Sequence, residues 1–213
     1  NIDLGGESNP WTAIGTAANP FKGTFDGGYH VISGLYIASG SAVGLFGEVN
    51  GGTVQNLVVR GEVNSTSNAA GVIGKLTAGH VRNCGNEASV SGGSCVGGVV
   101  GAVNGAGTVS GCYNKGTVSG TTGYIGGVTG QHWRAGRVEN CYNAGTVTEM
   151  TLFDHFNLTV DDGQFVSIVG SNGSGKTSLL NIICGSIGVE GGDVLMDGKS
   201  ISKLKDAFHV RYG

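Results

Sequence analysis

A repeat with a period of about 28 residues runs through the first two-thirds of the chain, and it limits the possible folds more than any other feature. Two landmarks recur in one register. The first is the opening glycine of a G-x-x-G core, at Gly44, Gly71, Gly98 and Gly127. The second is an apolar position that follows each core at nearly the same interval, at Leu57, Cys84, Cys112 and Cys141. Two landmarks that keep one period indicate a structural repeat.

The repeat units predict short β-strands that stack on one another. They lack the i, i+3, i+4 apolar pattern of helices, and each is typical of two or three strands rich in Val and Thr. The chain has 43 Gly, 2 Pro and 39% apolar residues, which is not the composition of a disordered linker. Because one unit cannot bury its own apolar face, we predict a mostly β fold. It is a β-solenoid with coils about 4.8 Å apart, inward columns of Val, Ile and Leu, and Gly at corners that need positive φ.

The motifs within the units carry a family resemblance. "GLFG", "GVIG", "GVVG" and "GVTG", followed by "NCGN", "GCYN" and "NCYN", resemble GLUG-motif repeats. Residues 19–37 resemble the segment that leads into such repeats, so we assign 1–42 to a lead-in and 43–148 to four repeats. The resemblance implies a spacer or binding surface in bacterial surface or secreted proteins, including adhesin-like ones. It implies an unknown surface ligand and no cofactor.

Three of the four apolar landmarks are cysteines in one phase of the repeat. Because free Cys behaves as a small hydrophobe, we expect Cys84, Cys112 and Cys141 to stack as a buried column. A disulfide between adjacent coils and a zinc site are alternatives, although no C-x-x-C or paired His spacing favours zinc. We predict no catalytic residue here. The histidines lie in different phases without a paired acid, so we expect them at the surface: His30, His80 and His132.

The pattern changes near residue 150, where charged residues become denser and glycine rarer. "FNLTV" and "GQFVSIVG" predict two strands, the second buried, and "SLLNIICG" predicts a helix. The intervening "GSNGSGKTS" fits G-x-x-x-x-G-K-[ST] in its strand-to-helix context. This pattern favours a phosphate-binding loop over a chance glycine-rich turn.

Each part of that loop has a physical role. Gly170, Gly173 and Gly175 allow backbone N–H groups to surround phosphate oxygens, and the helix N-terminus adds its positive dipole end. Lys176 would reach the β- and γ-phosphates, and the Thr177 hydroxyl would ligate Mg²⁺.

The surrounding sequence resembles the opening of an ABC transporter ATP-binding domain. The stretch that carries the resemblance is "LTVDDGQFVSIVGSNGSGKTSLLNIICGSIGVEGGDVLMDGKSI". It implies a partial P-loop α/β fold for 149–213, with ATP and Mg²⁺ as ligands. The implied partners are a transporter membrane subunit and a second ATPase copy. The resemblance also completes the phosphate loop with Ser171, Asn172, Ser174 and Ser178.

The same resemblance implies elements that would follow Gly213. These are a glutamine, the LSGGQ signature, the Walker B aspartate, the catalytic glutamate and the switch histidine. Without an acid to order Mg²⁺ and a base to orient water, we expect phosphate binding without hydrolysis. The stretch 90–94, "VSGGS", resembles the signature but lies in repeat phase before the phosphate loop, so we interpret it as repeat sequence.

Tyr142 lies where the two patterns meet. As a repeat residue it matches Tyr113 in the preceding unit. The ABC resemblance implies instead that it stacks on adenine, since that family places such an aromatic at a similar interval before the lysine that Lys176 matches. A short stretch common to two genes is where recombination or misjoined reads would place a seam. Our hypothesis is therefore a chimaera of two gene fragments. The alternatives are a real fusion and an ABC ATP-binding fragment that serves transport.

Charge and hydropathy add further expectations. The net charge of −3 provides no basic patch for nucleic acid, and we identify neither a secretory signal nor a transmembrane segment. The sequence begins with Asn1 rather than Met, so we expect missing or removed upstream residues. The two halves imply opposite locations, extracellular or cell-surface for 1–148 and the cytoplasmic face of the membrane for 149–213.

Overall fold

A computed structural model describes residues 1–133, 135–149, 158–160, 167, 176–183, 194–196 and 199–200. The chain divides into two compact units, Asn1–Thr151 and Leu152–Gly213. The described part of the first unit contains a short 3-10 turn at Gly6–Ser8 and sixteen strands. These are β1 (Ile2–Asp3), β2 (Thr24–Ile37), β3 (Ala42–Val43), β4 (Phe46–Asn64), β5 (Asn68–Ala69), β6 (Ile73–Asn86), β7 (Ser89–Gly92), β8 (Val96–Gly97), β9 (Val100–Ser110), β10 (Tyr113–Asn114), β11 (Val118–Gly120), β12 (Ile125–Gly126), β13 (Thr129–Trp133), β14 (Arg137–Glu139), β15 (Tyr142–Asn143) and β16 (Val147–Glu149).

The strands of the first unit form a parallel β-solenoid of about five turns. Strands β2, β4, β6, β9 and β13 stack in that order, each in parallel register with its neighbours. Val54, for example, pairs with Phe25 of the coil on one side and with Val81 of the coil on the other. A smaller parallel sheet contains β3, β5, β8 and β12. This architecture confirms the predicted solenoid.

Inward apolar columns fill the solenoid, as predicted. Val49, Leu76 and Val103 lie in register on consecutive coils and are fully buried. Each column position loses almost all its contact with water because the coils above and below cover it. Such burial contributes on the order of 1.5–3 kcal/mol for each large apolar side chain. Further fully buried members are Phe46, Val54, Val59, Val63, Ile73, Val81, Val90, Val100, Val109 and Val118.

The strands are longer than predicted because they continue through corners. Strand β4 spans 19 residues, and one of its bends is at Asn56, where φ is 57°. Asn83 and Asn140 take the equivalent corner with φ of 49° and 55°, and Gly111 takes it with φ of 62°. Glycine does take positive φ at other bends, such as Gly51 and Gly79, as predicted, but at this corner three coils have Asn instead. Asn tolerates the left-handed region better than most residues do.

The first glycines of the G-x-x-G motifs allow close packing rather than a positive φ. A Cβ atom on Gly98 would overlap the carbonyl oxygen of Gly127 and Oδ1 of Asn114. A Cβ atom on Gly71 would likewise overlap the Asn86 side chain, and one on Gly127 would overlap the Asn143 side chain. The first glycine of the motif therefore leaves room for an asparagine side chain of its own coil.

Residues before β2 close one end of the stack. Isolated parallel bridges join Ile14 to Phe46 and Phe21 to Val49, so this segment covers part of the first full coil. The rings of Phe21 and Phe46 lie 4.9 Å apart between centroids, and the indole N–H of Trp11 donates to the carbonyl oxygen of Leu45 at 3.0 Å. The residues before β2 thus pack as a cap.

The described part of the second unit contains helix α1 (Lys176–Ile183) and an antiparallel pair, β17 (Leu195–Met196) and β18 (Lys199–Ser200). Leu179 on α1 is buried, whereas the neighbouring Leu180 is half exposed. Within the parts of the chain that the structure describes, no helix is long and apolar enough to span a bilayer.

Candidate functional site

Helix α1 begins at the lysine of the sequence-predicted phosphate loop. The backbone places Lys176, Thr177 and Ser178 in its first turn. Residues 170–175, which hold Gly170, Ser171, Asn172, Gly173, Ser174 and Gly175, lie outside the described residues. A helix N-terminus carries partial positive charge and free N–H groups that suit phosphate. The first turn of α1 has no acidic side chain that would compete for this charge.

Tyr142 lies in the solenoid, on strand β15, in register with Tyr113 of β10. The two rings stack with centroids 5.6 Å apart and planes 14° from parallel. The Lys115 ammonium lies 5.1 Å from the Tyr113 ring centroid. Burial, and then the negative charge of Glu87, raises the pKa of Tyr113. Tyr113 thus covers one face of the Tyr142 ring, and adenine stacking by Tyr142 stays a prediction.

The cysteine column is confirmed. The backbone N–H of Cys84 donates to Sγ of Cys112 at 3.5 Å, and that of Cys112 donates to Sγ of Cys141 at 3.4 Å. Cys84 and Cys112 are fully buried, and Cys141 is half-buried. Leu57 continues the column, because it pairs with Cys84. All three cysteines are free thiols.

The environment of this column raises the pKa of two of its thiols. The hydrogen bond with Cys141 lowers the pKa of Cys112, but the hydrogen bond with Cys84 and burial outweigh it and raise the pKa to about 12. The hydrogen bond with Cys112, followed by burial, raises the pKa of Cys141. Because the thiolate is the nucleophilic form, these shifts disfavour nucleophilic chemistry at Cys112 and Cys141.

An asparagine ladder runs beside the cysteines, and it was not predicted from the sequence. The Asn86 amide donates to Oδ1 of Asn114 at 2.7 Å, and the Asn114 amide donates to Oδ1 of Asn143 at 2.7 Å. Each amide also donates to the carbonyl oxygen two residues on, in Ala88, Gly116 and Gly145. The signal was present, because an asparagine follows each landmark cysteine by two residues. Because the asparagine side chain both donates and accepts, the same hydrogen bond can repeat from one coil to the next.

One histidine differs from its sequence expectation. His30 and His132 are exposed as expected, whereas His80 is half-buried. Its Nδ1 atom has no hydrogen-bond partner in the described part of the chain. It pairs in register with Thr53 and Thr108 rather than with an acid. The expectation of a surface position was therefore wrong for His80.

The outer face of the solenoid carries a groove of about 430 Å³. Tyr29, at its edge, is 73% exposed and has φ of 62°, which is unusual for a bulky side chain. The groove is open to solvent and mixes aromatic, aliphatic and amide groups. Its lining consists of Tyr29, Leu57, Val58, Asn83, Gly111 and Tyr113.

Fold and site together define a parallel β-solenoid followed by a segment with a P-loop-type sequence at a helix N-terminus. Family comparisons match "The GLUG motif" at residues 121–148 and "ABC transporter" at residues 153–212. The chain therefore joins a GLUG-motif β-solenoid to part of an ABC transporter ATP-binding domain.

Curated relatives match the C-terminal segment. A "Tyrosine transport ATP-binding protein" of Clostridioides difficile is 45% identical over 56 residues, which are 26% of this chain and 22% of that protein. The "Cytochrome c biogenesis ATP-binding export protein CcmA 2" of Salmonella paratyphi A is 41% identical over 61 residues, 29% of this chain and 30% of that protein. The matched part thus spans less than a third of either relative.

A solved structure resembles the chain in fold. It is a candidate immunoglobulin A1 protease from Bacteroides ovatus, with a TM-score of 0.53 and 21% identity. The similarity covers 78% of this chain and 73% of that one. At this identity the likeness shows the fold alone.

Proposed function

We propose that the chain combines two modules with separate functions. Residues 149–213 bind the phosphates of ATP, and residues 1–148 are a structural or adhesive module of a bacterial surface or secreted protein. The observation that carries the nucleotide proposal is the start of α1 at Lys176, directly after the G-x-x-x-x-G sequence. The matched relatives are named as ATP-binding proteins, which supports the same ligand.

The residues present fit an ATP–Mg²⁺ complex. The backbone of Lys176 and Thr177 occupies the first helical turn, where a phosphate bound at the helix N-terminus would be nearest. In this proposal the loop from Gly170 to Ser178 surrounds the phosphates, Lys176 neutralises their charge and Thr177 provides a hydroxyl for Mg²⁺.

A titration of the full chain with fluorescent ATP and Mg²⁺ tests this function. Lys176→Ala removes the charge that meets the phosphates, so we expect at least tenfold weaker binding. Lys199→Ala is the matched control, because Lys199 is exposed on β18 and lies outside the loop; binding should stay within twofold. Equal binding by wild type and Lys176→Ala contradicts the proposal.

The names of the relatives also suggest partners for the second module. They are transport and export ATP-binding proteins, so we propose a transporter membrane subunit and a second ATPase copy as partners. With these partners, we propose that residues 149–213 act at the cytoplasmic face of a membrane. Co-purification of the chain with a membrane subunit expressed beside it supports this assembly, and its absence at high expression of both contradicts it.

The solenoid is proposed to act outside the cell as a spacer or adhesin. The GLUG motif and the open groove between Tyr29 and Tyr113 support a binding surface. Retention of the full chain on immobilised mucin, compared with immobilised serum albumin, tests adhesion. Equal retention on the two surfaces contradicts an adhesive role and leaves the structural role.

The two locations motivate the chimaera hypothesis, in which two gene fragments join at the stretch from Tyr142 to Met150. A single-molecule read of the source DNA across these codons tests it directly. Halves that never occur on one molecule support the chimaera. An uninterrupted frame through both halves contradicts it and leaves the two alternatives, a real fusion of the coil stack with a degenerate nucleotide-binding fragment and an ABC ATP-binding fragment that serves transport.

A further inference from the structure

The last coil of the solenoid ends in an open sheet edge. Strands β14, β15 and β16 each pair in parallel with a strand of the preceding coil. Within the described part of the chain, no strand pairs with their other side. Such an edge leaves backbone N–H and C=O groups available to a further strand. We call residues 137–148, which form this edge, the open half-coil.

The open half-coil keeps the apolar residues that the preceding coil buries. Val138 and Val147 are 39% and 40% exposed, whereas their register partners Val109 and Val118 are fully buried. These valines end inward columns, so a covering strand would remove their apolar surface from water. The open half-coil therefore has the apolar pattern of an interior coil without the neighbour that covers it.

Asn143 gives this surface a direction. The Asn114 amide donates both to the carbonyl oxygen of Gly116 and to Oδ1 of Asn143. Within the described residues, the Asn143 amide donates only to the carbonyl oxygen of Gly145. Its second N–H is therefore available to an acceptor placed as Oδ1 of a further ladder asparagine would be.

Tyr142 adds an aromatic plane beside that donor. Tyr113 stacks on one face of its ring, and Tyr142 is 55% exposed. A tyrosine directly before the asparagine of an added strand would stack on Tyr142 as Tyr142 stacks on Tyr113. The valines, the amide donor and the ring together match one sequence pattern, V-x-x-C-Y-N-x-x-x-V, which is the pattern of residues 109–118.

The other half of the last coil does not share this pattern. On β13, Thr129 pairs with the buried Val100, and His132 pairs with the buried Val103. Polar side chains at the inward positions of an edge strand disfavour stacking of a further strand. The surface that fits an added strand is therefore confined to the open half-coil.

We propose that the open half-coil docks a V-x-x-C-Y-N-x-x-x-V repeat segment of another protein, in parallel register. Backbone hydrogen bonds along the edge provide affinity, as in other cases of strand addition. The asparagine of the segment accepts from the Asn143 amide, and its two valines cover Val138 and Val147. This inference is independent of the phosphate loop and of adhesion through the groove.

A second copy of this chain fits the open half-coil poorly. At the opposite end of the solenoid, the ladder position holds Ile32, which pairs with Ile2 of β1. That end therefore presents neither an asparagine nor a free edge at this position. Two open half-coils that met would each offer an amide donor, because Oδ1 of Asn143 already accepts from Asn114. Residues 150–213 do not contain the pattern either.

Fluorescence anisotropy tests docking on the full chain under reducing conditions, with a labelled peptide of residues 108–120, "TVSGCYNKGTVSG". Because the peptide must become ordered on binding, we expect saturable 1:1 binding with a Kd of about 10 µM. The Asn114→Leu peptide cannot accept from the Asn143 amide and should bind at least tenfold more weakly. The absence of saturable binding up to ~200 µM, or equal binding of the two peptides, overturns the proposal.

A pair of lysine variants of the full chain locates the binding surface. Val147→Lys places a charge at the end of the apolar column and should abolish binding of the peptide. Thr148→Lys is the matched control, because it adds the same charge to the next residue, whose side chain points to the opposite face of the strand. Its affinity should stay within twofold of wild type. Both positions are exposed, so thermal unfolding should be unchanged. Equal effects of the two variants overturn the proposal.

An extended chain decides the question if light scattering shows that the peptide associates with itself. A duplicate of residues 121–148, inserted after Thr148, would place a further coil on the open half-coil. Asn143→Ala should then lower the urea midpoint as much as Asn114→Ala does in the natural chain. A shift no larger than that of Asn143→Ala in the natural chain overturns the proposal. Sedimentation velocity tests the other occupant, since a dimer that Val147→Lys dissociates would identify a second copy and overturn the proposal.

Discussion

The third and fourth repeats carry nearly the same sequence, "GCYNKGTV" and "NCYNAGTV", yet their environments differ. Cys112, Asn114 and Val118 are fully buried. The equivalent Cys141 is half-buried, Asn143 is exposed, and Val147 is 40% exposed. The sequence of a coil therefore specifies its shape, whereas burial of its residues depends on the coils above and below it. The interior coil should accordingly be far more sensitive to substitution.

The largest contrast is expected for alanine at the motif glycines. At Gly98 a new Cβ meets the backbone carbonyl of Gly127 as well as Asn114, so we expect a loss of about 3 kcal/mol in the free energy of unfolding. At Gly127 the nearby atoms all belong to the Asn143 side chain on the exposed last coil, so a shift of that coil can relieve the overlap, and the loss should be about 1 kcal/mol. Urea unfolding followed by circular dichroism measures both. Equal losses at Gly98 and Gly127 would contradict the expected difference between the interior and the exposed coil.

In the asparagine ladder, substitution at the buried coil should again cost more unfolding free energy than substitution at the exposed coil, but the difference should be smaller. Asn114→Ala leaves the Asn86 amide and the Gly116 N–H without their acceptor, and we expect a loss of about 2 kcal/mol. Asn143→Ala, at the exposed position, should cost about 0.5 kcal/mol. The same urea experiment gives both values. A greater loss for Asn143→Ala than for Asn114→Ala would show that burial does not control the ladder.

Alkaline pH should lower the free energy of unfolding through the buried thiol of Cys112. The pKa of Cys112 is raised from 9.0 to about 12, so the unfolded chain loses this proton at lower pH than the folded chain does. The stability from the neutral thiol is complete below pH 9 and is lost as pH rises from about 9 to about 12. Cys112→Ala should flatten the decline in unfolding free energy over this window, as measured by urea unfolding at each pH. An unchanged slope in Cys112→Ala would contradict the assignment.

The smallest effect is expected at the capped end, where Asp26 is exposed. The backbone N–H of Gly28, followed by the amides of Gln55 and Asn56, lowers the pKa of Asp26 from its ordinary 3.8. Its contribution to stability is present above pH 3.8 and is lost as pH falls below the folded pKa. An NMR titration of this carboxyl should give a midpoint below 3.8, and Gln55→Ala should move it upwards. A wild-type midpoint at or above 3.8 would contradict these contacts.

The sequence predicted the features that repeat. Period, parallel stacking, inward columns and the cysteine column all followed from landmarks such as Gly98 and Cys112, because every coil repeats one local pattern. The corner at Asn56 and the role of the motif glycines were not predicted, because backbone angles and close contacts between distant residues leave no separate signal. The exposure of the open half-coil was not predicted either, since its residues have the same pattern as those of the buried coils.

The predicted site in the second unit depends mainly on contiguous residues rather than on contacts between coils. The loop sequence up to Lys176 predicted the helix that follows, because that motif uses contiguous residues, and its ligand stays a proposal. Adenine stacking by Tyr142 needs a long-range arrangement that a local pattern does not specify. Local chemistry is therefore easier to predict from sequence than contacts between separate elements.

The asparagine ladder has a mechanical consequence. Its hydrogen bonds run along the stacking axis, from Asn86 through Asn114 to Asn143, and so do the hydrogen bonds between strands. A pulling force along that axis would load the bonds of one coil at a time. A single coil that detached would lengthen from about 4.8 Å of stack to roughly 90 Å of extended chain. A tether built in this way would yield in steps under load, and each step would dissipate the work of separating one pair of coils.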